Sequence, residues 1–513
     1  MSIVTRRGRE SGADEVALAD ASQELTWNAL DEVLNRVGNA LLAAVTPESE
    51  RVAVFAENAL ETVAAHLGAV AVGISTVPVS FHLTADELAY ILKDSDSRLL
   101  LVGPETAERG VAAARQCGVQ TVIGWRCADV DGVTDWEAWL AAAAPDEPSS
   151  DATPRPFLHY TSGTTGLPKG TETPPSMFAG GDTMEEHFER VAATNLFTST
   201  NLIVSPLYHT GPLASLRALA AGTRLVVLGR FDPETVLRSI DRYQVSSTVM
   251  VPTHFARLLN LPEEVRGRYD VSSLMVVAHT GAACPVDVKR RMIEWLGPVL
   301  IEAYGATESG TTNMITSPEW LDHPGSVGRT LPPFEVVVVS DAGEELPAGE
   351  VGALYFRDTT GRGIEYHNDP EKTAAAHRRP GEFTLGDVGY VDDDGYVYIT
   401  DRTSDMVISG GVNVYPAEAE AIMLEHGAVS DVACIGIPHE EMGEELKALV
   451  VLDPDQPAPT AEELIAFARS RIAHYKCPRS VDIVEDLGRN AMGKLNKRTL
   501  RAPYWPSGRT IGG

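Results

Sequence analysis

The stretch Tyr160-Thr-Ser-Gly-Thr-Thr-Gly-Leu-Pro-Lys-Gly170 constrains this chain more than any other. Hydroxyls at Thr161, Ser162, Thr164 and Thr165 alternate with Gly163, Gly166 and Gly170, and Lys169 adds a positive charge. Glycine lets the backbone turn tightly and come close to a ligand. Successive N–H groups and hydroxyls in such a loop wrap an anion, with lysine as a point charge. Polyphosphate is the natural guest. The spacing is not that of a GxxxxGK[ST] loop, because Pro168 stands where the second glycine belongs. An ordinary surface turn needs about two to four residues of this kind, fewer than are packed here.

At 513 residues the chain exceeds one ordinary domain, and 44% apolar residues supply a sizeable core. The formal charge of −30 keeps such a chain soluble and disfavours nucleic acid and anionic membranes as partners. The five cysteines show no C-x-x-C spacing, which argues against a zinc site or a disulfide framework and suits a reducing cytoplasm. No apolar run follows the arginines at the start, and Ala64 to Val79 is broken by His66 and glycines, so neither an export signal nor a membrane span is expected.

Apolar spacing predicts helices over Leu25–Leu42, Leu60–Val70, Thr84–Leu92, Pro233–Tyr243 and Val286–Trp295. It predicts strands at Val52–Phe55, Ser75–Val79, Leu99–Val102, Leu202–Ser205, Arg224–Leu228 and Ser247–Val251. Strands spaced by helices imply a layered, mostly parallel α/β sheet. After Gly325, strands separated by Gly/Asp turns (Phe334–Ser340, Gly352–Phe356, Gly389–Thr400) imply an antiparallel unit, with Asp392 to Asp394 in a hairpin turn. From about Asp401 a second α/β pattern begins, with a helix over Ala417–Glu425, strands at Val429–Ile437 and Lys447–Leu452, and a helix over Ala461–Ala473.

Further segments carry chemistry. In Ser205-Pro-Leu-Tyr-His-Thr-Gly-Pro212 a loop leaves a strand at His209, and such loops commonly contact ligands in open α/β sheets. Small residues at Gly281, Ala282 and Ala283 follow an apolar strand and leave room for a flat ring against exposed backbone. Tyr304-Gly-Ala-Thr-Glu308 offers a ring, a hydroxyl and a carboxylate; one glutamate suffices for magnesium held mainly on phosphates. Gly386-Asp-Val-Gly389 adds a further carboxylate, Asp387. Gly410 and Gly411 leave backbone uncovered by side chains, and Lys494 lies in a basic segment, Arg489-Asn-Ala-Met-Gly-Lys-Leu-Asn-Lys-Arg498.

In order and spacing these segments resemble the motifs of the adenylate-forming superfamily: acyl-CoA synthetases, adenylation domains and luciferases. The likeness spans roughly residues 25 to 505. The stretch from His279 to Gly310 is similar to actinobacterial acyl-CoA synthetases of the FadD and bile-acid-CoA-ligase type. Two departures stand out: Ser404 where members often carry Asp or Lys in the hinge, and no proline ahead of the Gly493-Lys494 pair.

The resemblance implies an α/β fold with a large N-terminal domain (1–402) of layered sheets plus a β-barrel-like subdomain, and a small mobile α+β C-terminal domain (403–513). It implies ATP, Mg2+ and CoA as ligands. Thr161 to Gly166 and Lys169 would take the phosphates. Gly281 to Ala283, Tyr304 and Gly305 would flank adenine and the acyl group, Asp387 and Arg402 the ribose, and Gly410–Gly411 the pantetheine. Glu308 would hold the metal, while Thr307, His209 and Lys494 would serve catalysis. The expected reaction activates a carboxylic acid as an acyl-adenylate and passes it to CoA. Small residues around Gly281 and Gly305 point to a bulky or ring-containing acid. Transfer to an amine leaves the same first-step motifs, and a non-catalytic nucleotide sensor would have no use for Lys494. The acid, the pathway and whether the chain forms a homodimer stay open.

Overall fold

The computed structural model describes the chain except residues 1–2, 47–49, 128, 149–151, 162–167, 176, 196–198, 283, 285, 341, 403–406, 415, 489–496 and 506–513. Side chains 400–402, 413, 417, 421 and 498 are likewise outside the description.

The largest sheet has nine strands. Its core is parallel: Val16–Ala19, Arg224–Val227, Thr200–Ile203, Ser247–Met250, Val276–His279 and Leu300–Ala306 lie side by side in that order. These strands are short and largely buried because helices cover both faces. A second, all-parallel sheet carries Ser75–Val79, Arg51–Phe55, Ser97–Val102, Thr121–Gly124 and Thr134–Asp135. The helix Trp27–Ala44 packs between the sheets with Leu30, Leu34, Val37 and Leu41 buried at helical spacing. It starts where expected, since Thr26 Oγ1 accepts from the Ala29 amide at 3.2 Å. Ala85–Asp94 likewise begins on a capping box between Thr84 and Glu87.

The antiparallel unit is a five-stranded sheet, Phe334–Val339, Gly352–Asp358, Glu382–Val391 and His377–Arg379, with Val397–Arg402 also on Glu382–Val391. Asp392 makes the expected turn: its Oδ1 accepts from the amides of Asp394 and Tyr396. The last sheet is built on one long hairpin, Val429–His439 with Gly443–Leu452, extended by Val407–Ser409, Val412–Val414 and a parallel strand Ser480–Ile483. Helices Pro416–Met423 and Ala461–Arg469 contribute to its core.

Two features escape the sequence reading. A helix forms over Arg6–Gly12 despite two glycines, because Gly8 lies flat against the Trp27 ring and a Cβ there would collide with it. Leu300–Ala306 folds back as an antiparallel hairpin onto Gly310–Thr316, so antiparallel pairing at this end of the large sheet sets in before Gly325.

Behind that hairpin lies a buried ion pair. Lys289, on helix Val286–Leu296, donates to Glu302 Oε2, and both side chains are buried. The Lys289 ammonium also sits 4.8 Å from the Trp320 ring centroid, and His279 Nε2 lies 3.7 Å from Glu302. Burial pushes the Glu302 carboxyl up while Lys289 opposes it. Removing one partner of such a pair leaves the other charge unpaired in a dry interior, a loss of about 3 kcal/mol, whereas apolar replacement of both is often nearly neutral. Chemical denaturation of Lys289→Met should therefore show a loss of about that size that Lys289→Met with Glu302→Leu largely restores; equal losses would contradict the ion-pair account.

Burial also pushes His66, His159 and His254 down to about 3 and His209 to about 4. The unfolded chain takes up these protons below about pH 6.5. The native state then binds fewer protons than the unfolded one, so stability falls as pH drops from there towards 4. Urea midpoints should decline between pH 7 and pH 5; a flat profile over that window would contradict neutral burial of these rings.

Candidate active site

The parallel strands of the large sheet end on one side of the molecule, where open α/β sheets bind ligands. After Thr200–Ile203 the chain runs through Tyr208 and His209 into a short helix, Thr210–Ser215. After Ser247–Met250 comes Val251, after Val276–His279 come Gly281 and Ala282, and after Leu300–Ala306 come Thr307 and Glu308. Four separate motifs thus meet because successive strands are parallel neighbours.

Thr307 and Glu308 occupy the tip of the hairpin, closed by Ser309 Oγ accepting from the Ala306 amide at 3.1 Å. A Cβ at Gly305 would fall on the Gly310 carbonyl oxygen. The small size of Gly305 therefore serves hairpin closure and not, as the sequence reading has it, room for the acid. Gly281 differs: with φ +86, its nearest neighbours to a Cβ are the Gly411 carbonyl and Val251, both at 3.8 Å. A methyl-sized group there would make only ordinary van der Waals contacts.

The phosphate-loop segment is a hairpin whose strands, Leu158–Thr161 and Lys169–Glu172, place Thr161 opposite Lys169. Its tip, Ser162, Gly163, Thr164, Thr165 and Gly166, lies outside the described residues. Residues 365–367 are fastened along the second strand: Thr171 Oγ1 donates to the Glu365 carbonyl at 3.0 Å, and the His367 amide to the Gly170 carbonyl at 2.7 Å. This places the Tyr366 ring 4.9 Å from Lys169 Nζ, while its hydroxyl donates to Glu308 Oε1 at 2.9 Å. Burial lowers Lys169, partly offset by Glu308. Tyr366 thus ties the cation of one motif to the carboxylate of another. Sequence reading misses it, the only signal being an aromatic residue in a polar loop before the Asp369-capped helix Pro370–Ala376.

Across the site, Tyr304 donates from its hydroxyl to Asp387 Oδ2 at 2.6 Å, and Asp387 is almost fully buried. Asp387 and Arg402 are register partners between strands Glu382–Val391 and Val397–Arg402. Thr210 Oγ1 lies 3.3 Å from Thr307 Oγ1, joining the His209 loop to the hairpin tip. Burial and the nearby His82 keep His209 neutral, down to about 4. A nucleotide fits this set: a carboxylate and ring at one end, a lysine, hydroxyls and a hard oxygen ligand at the other.

The C-terminal unit is docked over this site. A Cβ on Gly411 (φ +79) would lie 3.2 Å from Val251, and Gly410 abuts Met442. Lys476 Nζ donates to Glu418 at 2.7 Å and to Glu87, across the interface, at 2.9 Å. Arg257 pairs with Glu441 at 2.7 Å, and Tyr475 packs 5.7 Å from His82 between ring centroids. The structure thus brings Thr161, Lys169, His209, Gly281, Ala282, Tyr304, Gly305, Thr307, Glu308, Asp387, Gly410 and Gly411 to one region. Lys494, Ala283 and the hinge at Ser404 lie outside the described residues, as does the Arg402 side chain.

The AMP-binding enzyme family matches residues 4–362, and the AMP-binding enzyme C-terminal domain matches residues 418–494. A propanoyl:CoA ligase of Rhodococcus jostii (strain RHA1), named for a methyl-dioxo-octahydroindenyl acid, is 33% identical over 98% of both chains. The amide bond synthetase McbA from Marinactinospora thermotolerans superposes with a TM-score of 0.84 at 28% identity, covering 98% of this chain and 99% of that one. For o-succinylbenzoate CoA synthetase (MenE) from Bacillus subtilis, 26% identical over 98% of each chain, the TM-score is 0.79 for a double mutant with a product analogue, OSB-NCoA. It is 0.64 for the complex with the acyl-adenylate OSB-AMP. One enzyme thus superposes with two different scores in two structures. The chain belongs to the AMP-binding enzyme family and is an AMP-forming ligase.

Proposed function

We propose that this enzyme activates a carboxylic acid with Mg·ATP and transfers the acyl group to CoA. The observation that carries the reading is the docking of the Gly410–Gly411 loop against Gly281 and Val251, over the same strand ends that carry Thr307, Glu308 and His209. A thiol acceptor on a long, thin carrier reaches such a site only along exposed backbone, and paired glycines supply that.

Residues 1–402 act as the adenylation domain and 403–513 as the mobile one. Lys169 and the hydroxyls of the phosphate loop hold the triphosphate, Asp387 with Arg402 the ribose, and Tyr304 with Gly281, Ala282 and Ala283 the adenine. Glu308, a hard oxygen ligand oriented by Tyr366, suits Mg2+, which supplies charge neutralisation on the phosphates when bound. Thr307 positions the α-phosphate, and Lys494 stabilises charge developing on carboxylate and phosphate. Such chemistry asks little covalent work of the protein; placement and fixed charge do most of it. His209, neutral through the working pH range, orients the acyl group without carrying charge. The five unpaired cysteines support a reducing compartment. Among the described residues no helix is long and apolar enough to cross a membrane.

The amide bond synthetase's high TM-score keeps an amine acceptor as the second reading. A panel of fatty, aryl and steroid-like acids with Mg·ATP, read by mass spectrometry with CoA, without it, and with a pool of amines, separates the two. Acyl-CoA forming only when CoA is present is the expected result. Adenylate that leaves only onto an amine would remove the thiol role from Gly410–Gly411.

A further inference from the structure

One face of the helix that follows His209 leads away from the reaction centre into a narrow cavity. Thr210 and Ala214 share that face at i and i+4, Arg217 follows in the 3-10 turn Leu216–Ala221, and all three line the cavity. Thr210 is the residue that touches Thr307 at 3.3 Å, so the cavity starts beside the candidate reacting atoms. Its walls are otherwise mainly apolar, with Leu67, Val70 and Phe178 among them, apart from the buried His159 and Thr173.

The far end is polar in a specific way. Arg217 is half-buried; its Nε donates to the Ala214 carbonyl at 3.2 Å, and no carboxylate pairs with it among the described residues. Burial alone pushes it down to about 10, so it is still a cation with donors to spare. His187, fully buried, has its Nδ1 2.9 Å from the Gly180 carbonyl. A carbonyl only accepts, so that nitrogen carries the proton. Nε2 is then a lone-pair acceptor, and it is buried without a partner among the described residues. Burial, and Arg217 nearby, lower His187 and favour this neutral form. A desolvated cationic donor therefore stands near an unfilled neutral acceptor.

We infer that the acid this enzyme activates carries a hydroxyl group at its distal end, whose oxygen accepts from Arg217 while its proton goes to His187 Nε2. This rests on the ligase reading above and names its substrate class. A second carboxylate would satisfy Arg217 but set its lone pairs against Nε2; a methyl end would leave both groups unfilled, which costs affinity. The helix advances about 6 Å from Thr210 to Ala214, where the Arg217 head is held. A hydroxyl roughly 6 to 9 Å from the carboxyl carbon spans that gap. The cavity is drawn in to about 10 Å3, so entry requires Met177 and Phe178, both in its wall, to give way; methionine is suited to that.

The test compares kcat/KM for acyl-CoA formation within matched pairs: 4-hydroxycinnamate against cinnamate, and 7-hydroxyheptanoate against heptanoate, with heptanedioate beside them. A hydrogen bond to a charged group is worth about a tenfold preference or more. The hydroxy acid should win by that factor in the wild type. The advantage should shrink to within about twofold in Arg217→Met and survive in part in Arg217→Lys, a ratio that general loss of stability does not move. Equal rates within each pair, a win for heptanedioate, or an advantage untouched by Arg217→Met would overturn the inference while leaving the ligase reading in place. Absence of acyl-CoA from every acid tried here and in the wider panel would instead remove the ligase reading and this inference with it. The wild-type comparison decides the matter even where a variant fails to fold.

Discussion

The reversal of the chain at Gly305 to Gly310 is the constraint on which the reaction centre depends. From Thr200 to Ala306 the strands of the large sheet run parallel, and those at its centre deliver their loops to the same end. At Gly305 a side chain is impossible, because the Gly310 carbonyl occupies its place. The hairpin that results holds Thr307 and Glu308 at a tight tip, within reach of Thr210 on one side and Tyr366 on the other. The buried Lys289–Glu302 pair lies behind the same strand, so charge burial and hairpin geometry together set the position of two functional side chains.

Much of this is legible in the residues. Buried parallel strands read as short apolar runs, and Thr26, Thr84 and Asp232 announce their helices through side-chain caps. The site motifs are legible because polyphosphate demands glycines and hydroxyls in quantity. What is not legible depends on tertiary partners. Gly8 is helical only because Trp27 covers it. Gly305 and Gly281 look alike in sequence, yet a Cβ at one would strike backbone and at the other would make ordinary contacts. Tyr366 acquires its role only when residues 365–367 are fastened to the phosphate-loop hairpin.

On the proposed reading, the docked C-terminal unit serves the transfer step. Lys476 bridges Glu418 in its own unit and Glu87 in the other; burial opposes its charge, but Tyr475, Glu418 and Glu87 hold it raised, so the cation persists. Such a buried bridge is specific to one orientation, since rotation would leave Glu87 without its partner. The Gly410–Gly411 loop is at the site in this orientation. An enzyme that needs Lys494 for one step and these glycines for the other must exchange two faces of the same small unit.

That exchange is tested most directly by measuring the two half-reactions separately. ATP–pyrophosphate exchange reports activation of the acid, and CoA-dependent consumption of supplied acyl-adenylate reports transfer. Lys494→Ala should abolish exchange and spare transfer, and Glu87→Gln, which loosens the docked orientation, should spare exchange and slow transfer. If both variants depress the two half-reactions equally, the assignment of the two steps to two faces of the C-terminal unit is wrong.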